Sequence, residues 1–273
     1  MKSNKLSLFK NCIPPCFVDF LKKLGRSKYV YFSGNYSCWQ KALGATDSYA
    51  ASGIINKVRD AALMVKQGKA AYERDSVLFD SPDYNWRLVS LLLYISTYNN
   101  NKLYLLDFGG ALGSSYFQNR DLFQGLSALQ WNIVEQSQFV QIGKNEFEDE
   151  KLKFYFTIDE CLEKNTVNVL LLSSVLQYLE SPYGTLERLL EKNIKNIVID
   201  RTGFTRKSED LLTVQNVPKN IYKASYPAWF LNENRLLEFM KSRHYELKFG
   251  FPCEDISNIN DTYFKGMFFQ YAY

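Results

Sequence analysis

Histidine is almost missing from this sequence: there is one, His244, among 273 residues. Proline (7) and glycine (14) are sparse as well, which excludes a fibrous or low-complexity chain. Long apolar runs are absent. The longest, Val89 to Ile95, is far shorter than the roughly 20 residues that cross a bilayer, so no membrane span is expected. Residues 1–10 lack the charged-then-apolar pattern of a secretion signal. The cysteines (Cys12, Cys16, Cys38, Cys161 and Cys253) are odd in number and scattered, and one histidine leaves them few partners for a metal site. Reduced thiols, a cytoplasmic location and no bound metal are the expectation. Charge of one sign is also lacking. Thirty-three Lys and Arg against 29 Asp and Glu leave +4, interspersed along the chain, without the basic stripe of a nucleic-acid binder.

What remains is globular composition, 46% hydrophobic and 23% charged, long enough for one large α/β domain or two small ones. No internal repeat or low-complexity linker divides it. The first hundred residues read as helix and loop, with helices expected over 48–69 and 83–98, the second opening at Ser81-Pro82-Asp83. From residue 102 short apolar strands alternate with amphipathic stretches: Leu103 to Asp107, Gln130 to Val134, Lys153 to Thr157, Val167 to Leu172 and Asn196 to Asp200. Such alternation specifies a parallel sheet with crossover helices. Tyr245 to Phe249 and the aromatic tail from Tyr263 suggest a closing antiparallel hairpin.

Three strand ends carry polar groups that suit one ligand, since open parallel sheets bind beyond the C-terminal ends of their strands. The first is Asp107-Phe-Gly109-Gly110-Ala-Leu-Gly113, where glycines permit a sharp turn and close approach to a ligand. Taken alone that element is a weak signal, since a tight strand-to-helix turn with no ligand also explains it. The second is Glu135, placed to hold ribose hydroxyls or to sit in a solvated loop. The third is Ser173-Ser174-Val-Leu-Gln-Tyr178-Leu179. A nicotinamide site is disfavoured because the loop reads G-G-A-L-G and not G-x-G-x-x-G.

This layout resembles the class I S-adenosylmethionine-dependent methyltransferases over roughly residues 102–273. Shorter segments resemble a methyltransferase family met in bacterial surface-polysaccharide gene clusters: Glu73-Arg74-Asp75-Ser76-Val77, the loop from Asp107 to Gly113, Val134-Glu135-Gln136, Ser173 to Leu179, Asp200-Arg201-Thr202 and Tyr226-Pro227-Ala228-Trp229. The resemblance implies a Rossmann-like α/β fold: a seven-stranded, mostly parallel sheet with an antiparallel last strand, helices on both faces, and an N-terminal helical cap. Residues 1–100 would form the cap, 101–273 the core, with an acceptor-site insertion around 201–231. It implies S-adenosylmethionine as cofactor, with Asp107, Gly109, Gly110 and Gly113 framing its methionine end and Ser173 lining the same side. Glu135 would hold the ribose, Gln136 would lie beside the adenine, and Asp159 would meet the adenine amino group.

The expected activity is O-methyl transfer to a saccharide or a small anionic precursor of a surface glycan. Other small molecules as acceptors, and a cofactor-binding scaffold without catalysis, stay open, as does a homodimer. A hydroxyl nucleophile needs a proton acceptor, and Asp75, Asp200, Tyr178 and Tyr226 are the candidates; an anionic acceptor needs none. His244 reads as structural. Arg74, Arg120 and Arg201 are plausible anion clamps but read first as ordinary ion-pair partners, and Arg201 is the best candidate for a clamp because it follows the fifth strand. The segment Ser225 to Phe230 either shapes an acceptor pocket or covers the core.

Overall fold

The computed structural model describes residues 30–46, 51–74, 76–218 and 224–272, with side chains in 51–54 excepted. Cys12, Cys16 and Asp75 therefore lie outside the described residues. The chain begins with β1 (Tyr31–Ser33), α1 (Trp39–Gly44), α2 (Ala51–Lys66), the hairpin β2 (Tyr72–Arg74) and β3 (Val77–Phe79), and α3 (Trp86–Thr97). An alternating series follows: β4 (Lys102–Phe108), α4 (Ser114–Asn119), β5 (Ala128–Val134), α5 (Ser137–Ile142), β6 (Leu152–Tyr155), α6 (Ile158–Lys164) and β7 (Val169–Ser173). It continues through α7 (Pro182–Leu190), β8 (Asn196–Thr205), β9 (Leu211–Val217), β10 (Ala224–Asn232), α8 (Glu233–Ser242), β11 (Tyr245–Pro252) and β12 (Thr262–Tyr271).

The solid apolar runs of the middle strands are explained by cover on both faces. Along β4, Leu103 and Leu105 point into one core while Leu106 points into the other. Along β7, Val169 and Leu171 alternate with Leu170 and Leu172 in the same way. The first core is closed by α2 and α3 (Ala62, Val65, Leu88, Leu92, Ile95) and by Tyr116 and Phe117 of α4. The second is closed by Cys161 of α6, Leu186, Leu189 and Leu190 of α7, and Leu236 and Met240 of α8. The N-terminal helices α2 and α3 thus form part of one covering layer, and the start of α3 reaches the C-terminal edge of the sheet.

Strands β6, β5, β4, β7 and β8 run parallel in that order. β12 pairs antiparallel with β8, and β11 with β12, so the expected closing hairpin is present. From β4 the chain goes first to β5 and β6 on one side and then to β7 and β8 on the other. The order reverses between β4 and β7, which fixes a crevice there.

The sheet extends beyond the expected seven strands to ten. β8 is long: Asn196 to Asp200 pair with β7, and Phe204 and Thr205 pair with Leu231 and Asn232 of β10. β10 continues antiparallel to β9, and β9 to β1. The segment expected as an acceptor-site insertion is therefore largely sheet. Gly203 marks the changeover. A Cβ there would sit 2.9 Å from Cδ1 of Phe230 and 3.3 Å from the Trp229 carbonyl, so only glycine lets β10 come this close. Replacing it (Gly203→Val) should destabilise the protein by about 1–3 kcal/mol, the usual cost of overpacking, seen as a lower urea midpoint at unchanged m-value.

Candidate functional site

The first loop begins where β4 ends. Asp107 is 2% exposed, and its Oδ2 accepts a 2.9 Å hydrogen bond from the Trp131 indole nitrogen on β5. Burial pushes its carboxyl up to about 7; the Trp131 bond opposes the shift and the nearby Glu135 charge adds to it. The chain then turns through residues at positive φ: Gly109 (77°), Ala111 (48°) and Gly113 (91°). Position 110 has no room for a side chain, because a Cβ would lie 2.6 Å from the Asp107 carboxyl carbon. Glu135, just past β5, is likewise raised by burial, against backbone donors at Gln136 and Ala111 that favour its charge. Gln136 itself is exposed beside it. Asp107, the glycine loop and Glu135 are thus brought together as the spacing predicts.

A second cluster lies one strand over. Ser173 ends β7 and is in register with Asp200 on β8. Its hydroxyl donates to Asp200 Oδ2 at 3.1 Å, and Asn85 Nδ2 donates to the same oxygen at 3.0 Å. Cys253 Sγ approaches Oδ1 at 3.8 Å. Asp200 is 0% exposed, and burial raises its pKa against the Arg201 charge and the Ser173 bond. Burial and the Asp200 charge push the Cys253 thiol up to about 12, so it stays a donor. Ser174 (φ 54°) and Arg201 (φ 48°), one past each strand's matched pair, both adopt left-handed backbone. Gln177 ties them together, donating to Ser174 Oγ and to the Arg201 carbonyl at 3.1 Å each. Ser174 N also bonds the Asp200 carbonyl at 2.9 Å.

The other candidate residues have partners of their own or lie apart from these two clusters. Arg201, favoured as an anion clamp, is engaged by Asp255 in a two-pronged pair, with bonds of 3.0 and 2.8 Å. Burial works against the Asp255 charge, but the Arg201 bonds and charge outweigh it and hold that carboxyl below its usual range. Asp159 is 69% exposed and ion-paired with Lys192. Tyr178 and Tyr226 meet each other. Their rings pack edge-to-face at 5.4 Å, the Tyr178 hydroxyl donates to Gln215 Oε1 at 2.9 Å, and Gln215 Nε2 donates to the Tyr226 oxygen at 3.3 Å. Arg120 lies over the Phe117 ring at 5.2 Å. His244, exposed at the turn before β11, lies at the opposite edge of the sheet. Asp75 is outside the described residues.

Beside Asp200 opens a cleft of about 250 Å³, lined by Arg74, Asn85, Trp86, Arg201, Cys253 and Asp255 among others. Sequence reasoning missed Asn85, Cys253 and Asp255, as well as Glu73, whose buried carboxylate accepts from Ser76 N at 2.9 Å and from the Ser114 hydroxyl at the start of α4. Asn85 had a local signal: it is the true cap of α3, its Oδ1 accepting from Leu88 N at 3.2 Å. Among the described residues no helix is long and apolar enough to cross a membrane.

In three dimensions the chain is similar to the N-terminal domain of EvdMO1, solved in the presence of SAH and D-fucose, with TM-score 0.50, 9% identity, and coverage of 78% of this chain and 97% of that one. Also similar are magnesium protoporphyrin IX methyltransferase (ChlM) from Synechocystis PCC 6803 with bound SAM (TM-score 0.46, 12% identity, 83% and 100% covered) and a S-adenosylmethionine-dependent methyltransferase from Clostridium acetobutylicum (0.46, 10%, 70% and 94%). At such identity the likeness is one of fold, and the fold is Rossmann-like. No protein-family model and no curated protein matches the chain, so the narrower resemblance to the surface-polysaccharide family stands on its sequence segments alone.

The Asp107 carboxyl has a measurable signature. Its folded pKa, about 7, lies above the ordinary aspartate value of 3.8, so between those values the folded state binds the extra proton. Its contribution to stability therefore falls as pH rises from about 4 to about 7. Asp107→Asn should remove that part of the pH dependence, and it should be more stable than the parent at pH 8. Urea unfolding at pH 5 and pH 8 checks both outcomes.

Proposed function

We propose that the chain is an S-adenosylmethionine-dependent O-methyltransferase whose acceptor is a saccharide or a small anionic precursor of a surface glycan. The observation that carries this reading is the convergence of Asp107, the glycine loop, Glu135 and the Ser173–Asp200 pair on the point where strand order reverses. The chemistry of these groups fits the cofactor. Two carboxylates held by neutral donors are acceptors for an ammonium and for ribose hydroxyls, and the side-chain-free loop admits close backbone approach. The structural neighbours solved with SAH or SAM support the same choice.

When bound, the cofactor supplies an electrophilic methyl group on a sulfonium. Glu135 would accept from the ribose hydroxyls, with Gln136 alongside the adenine. Asp107, Gly109 and Gly113 would frame the methionine end, with Ser173 on the same side. Methyl transfer is an in-line displacement, so most of the protein's contribution is alignment. The acceptor hydroxyl loses its proton as its oxygen takes the methyl. Asp200, inaccessible itself, receives that proton through the Ser173 hydroxyl that touches it. A carboxylate whose pKa burial has raised is a stronger base than an exposed one. A cationic cofactor also favours the ionised form of Asp107, so binding near pH 7 releases a proton.

Calorimetry tests the cofactor half. Glu135→Ala should weaken binding by about 1–3 kcal/mol, the range for losing a charged hydrogen-bond partner, and an unchanged dissociation constant would remove Glu135 from the site. The observed heat should vary with the buffer's ionisation enthalpy in the parent and not in Asp107→Asn. Asp200→Asn should lower kcat by about 10²–10⁴-fold, the span of general-base effects, while leaving cofactor affinity unchanged. Single-turnover transfer from labelled cofactor into a cell-envelope extract tests the reaction; a protein that binds cofactor and labels nothing would be a scaffold.

A further inference from the structure

The cleft beside Asp200 has a charge arrangement that bears on the acceptor. Three guanidinium groups line it, and each faces a carboxylate in the same wall: Arg201 with Asp255 at 2.8 Å, Arg87 with Glu254 at 3.7 Å, and Arg74 with Asp83 at 4.0 Å. Among the described lining residues the formal charge is therefore zero. A phosphate or carboxylate entering here would compete with the carboxylate already beside each guanidinium and would meet that charge at close range. A neutral diol meets no such conflict. Each pair sets an acceptor next to a donor, and a hydroxyl group both gives and takes a hydrogen bond, so adjacent hydroxyls engage both members of a pair at once.

The mouth and the floor agree with that chemistry. Trp86, in the first turn of α3, is 59% exposed and packs edge-to-face on Tyr84 at 5.2 Å, leaving ring surface uncovered at the cleft. Aromatic side chains with one apolar face and a polar surround suit a ring with C–H groups on one side and hydroxyls at its rim. Asn85 and Cys253 line the cleft and also bond the Asp200 carboxylate, which links the bound ring to the proposed proton path. At about 250 Å³ the cleft has room for a sugar-sized ring.

We infer that this cleft binds a single neutral, hydroxyl-rich ring, and that it selects against phosphorylated or carboxylated forms of the same ring. The inference rests on the proposed methyltransferase reading and narrows its acceptor. The test uses the full chain with S-adenosylhomocysteine present, titrated with methyl hexopyranosides and with the matching hexose 6-phosphates, followed by saturation-transfer NMR and tryptophan fluorescence. The glycosides should bind at least about tenfold more tightly than the phosphates, and Trp86→Ala should weaken them by about tenfold or more. Glu254→Gln should narrow the gap by releasing Arg87. Both substitutions change exposed side chains (59% and 78%), so the fold is retained. Phosphates that bind as tightly as the glycosides overturn the inference and leave methyl transfer standing. So does a protein that gives heat with S-adenosylhomocysteine and binds no glycoside. Absence of that heat overturns the cofactor reading instead, and the glycoside titration then still decides the chemistry of the cleft.

Discussion

Three carboxylates, Asp107, Glu135 and Asp200, stand at one edge of the sheet, raised by burial and held by donors that are neutral or belong to the backbone. An indole, main-chain N–H groups, a serine hydroxyl and a side-chain amide do not cancel a charge as a lysine or arginine would. Only Asp200 has a cation close by, and the fork of Arg201 is bonded to Asp255. Buried carboxylates in this state weaken the folded protein at neutral pH. Nothing in the packing of the two cores calls for them. On the proposed reading Asp107 and Glu135 are a pre-set surface for a ligand that brings its own positive charge and hydroxyl groups and reverses their penalty when it arrives, while Asp200 keeps its raised pKa for the proton it receives.

The rest of the architecture holds that edge still. Leucine and valine alternate between two cores along β4 and β7, so the strands that carry Asp107 and Ser173 are clamped from both faces. The left-handed residues Ser174 and Arg201 are the local cost, and Gln177 keeps them in place by bonding both. One oxygen of that buried amide, Gln177 Oε1, has no protein partner, as expected of a group placed for geometry before hydrogen-bond economy.

The sheet centre was legible because its signal is local. Apolar runs of four to seven residues, a glycine-rich turn and an acidic residue at a strand end all lie within single short segments, and the structure joins Asp107, Gly109, Gly113 and Glu135 as read. The outer parts depend on partners far along the chain. Asn85 meets Asp200 across 115 positions, and Arg201 meets Asp255 across 54, so neither pairing leaves a trace in spacing. Arg201 looked available because its partner was invisible. An acidic residue after a strand, as Asp159 is, reads the same in sequence whether it faces a ligand or a lysine, so its pairing with Lys192 left no trace either. The 201–231 segment read as an insertion because β9 and β10 find their partners in β8 and in β1, and the latter lies some 180 residues upstream, as the Ser33–Asn216 contact across 183 positions shows.

β8 therefore belongs to two neighbourhoods in succession, and Asp200 and Arg201 stand near the handover. Upstream of them the strand is locked between β7 and β12; downstream it keeps β12 on one side and meets β10 on the other through Leu231 and Asn232. A scaffold jointed in this way can rebuild its outer wing piecemeal. Residues there can be exchanged to suit a different acceptor while the inner half, and whatever it grips, keeps its shape.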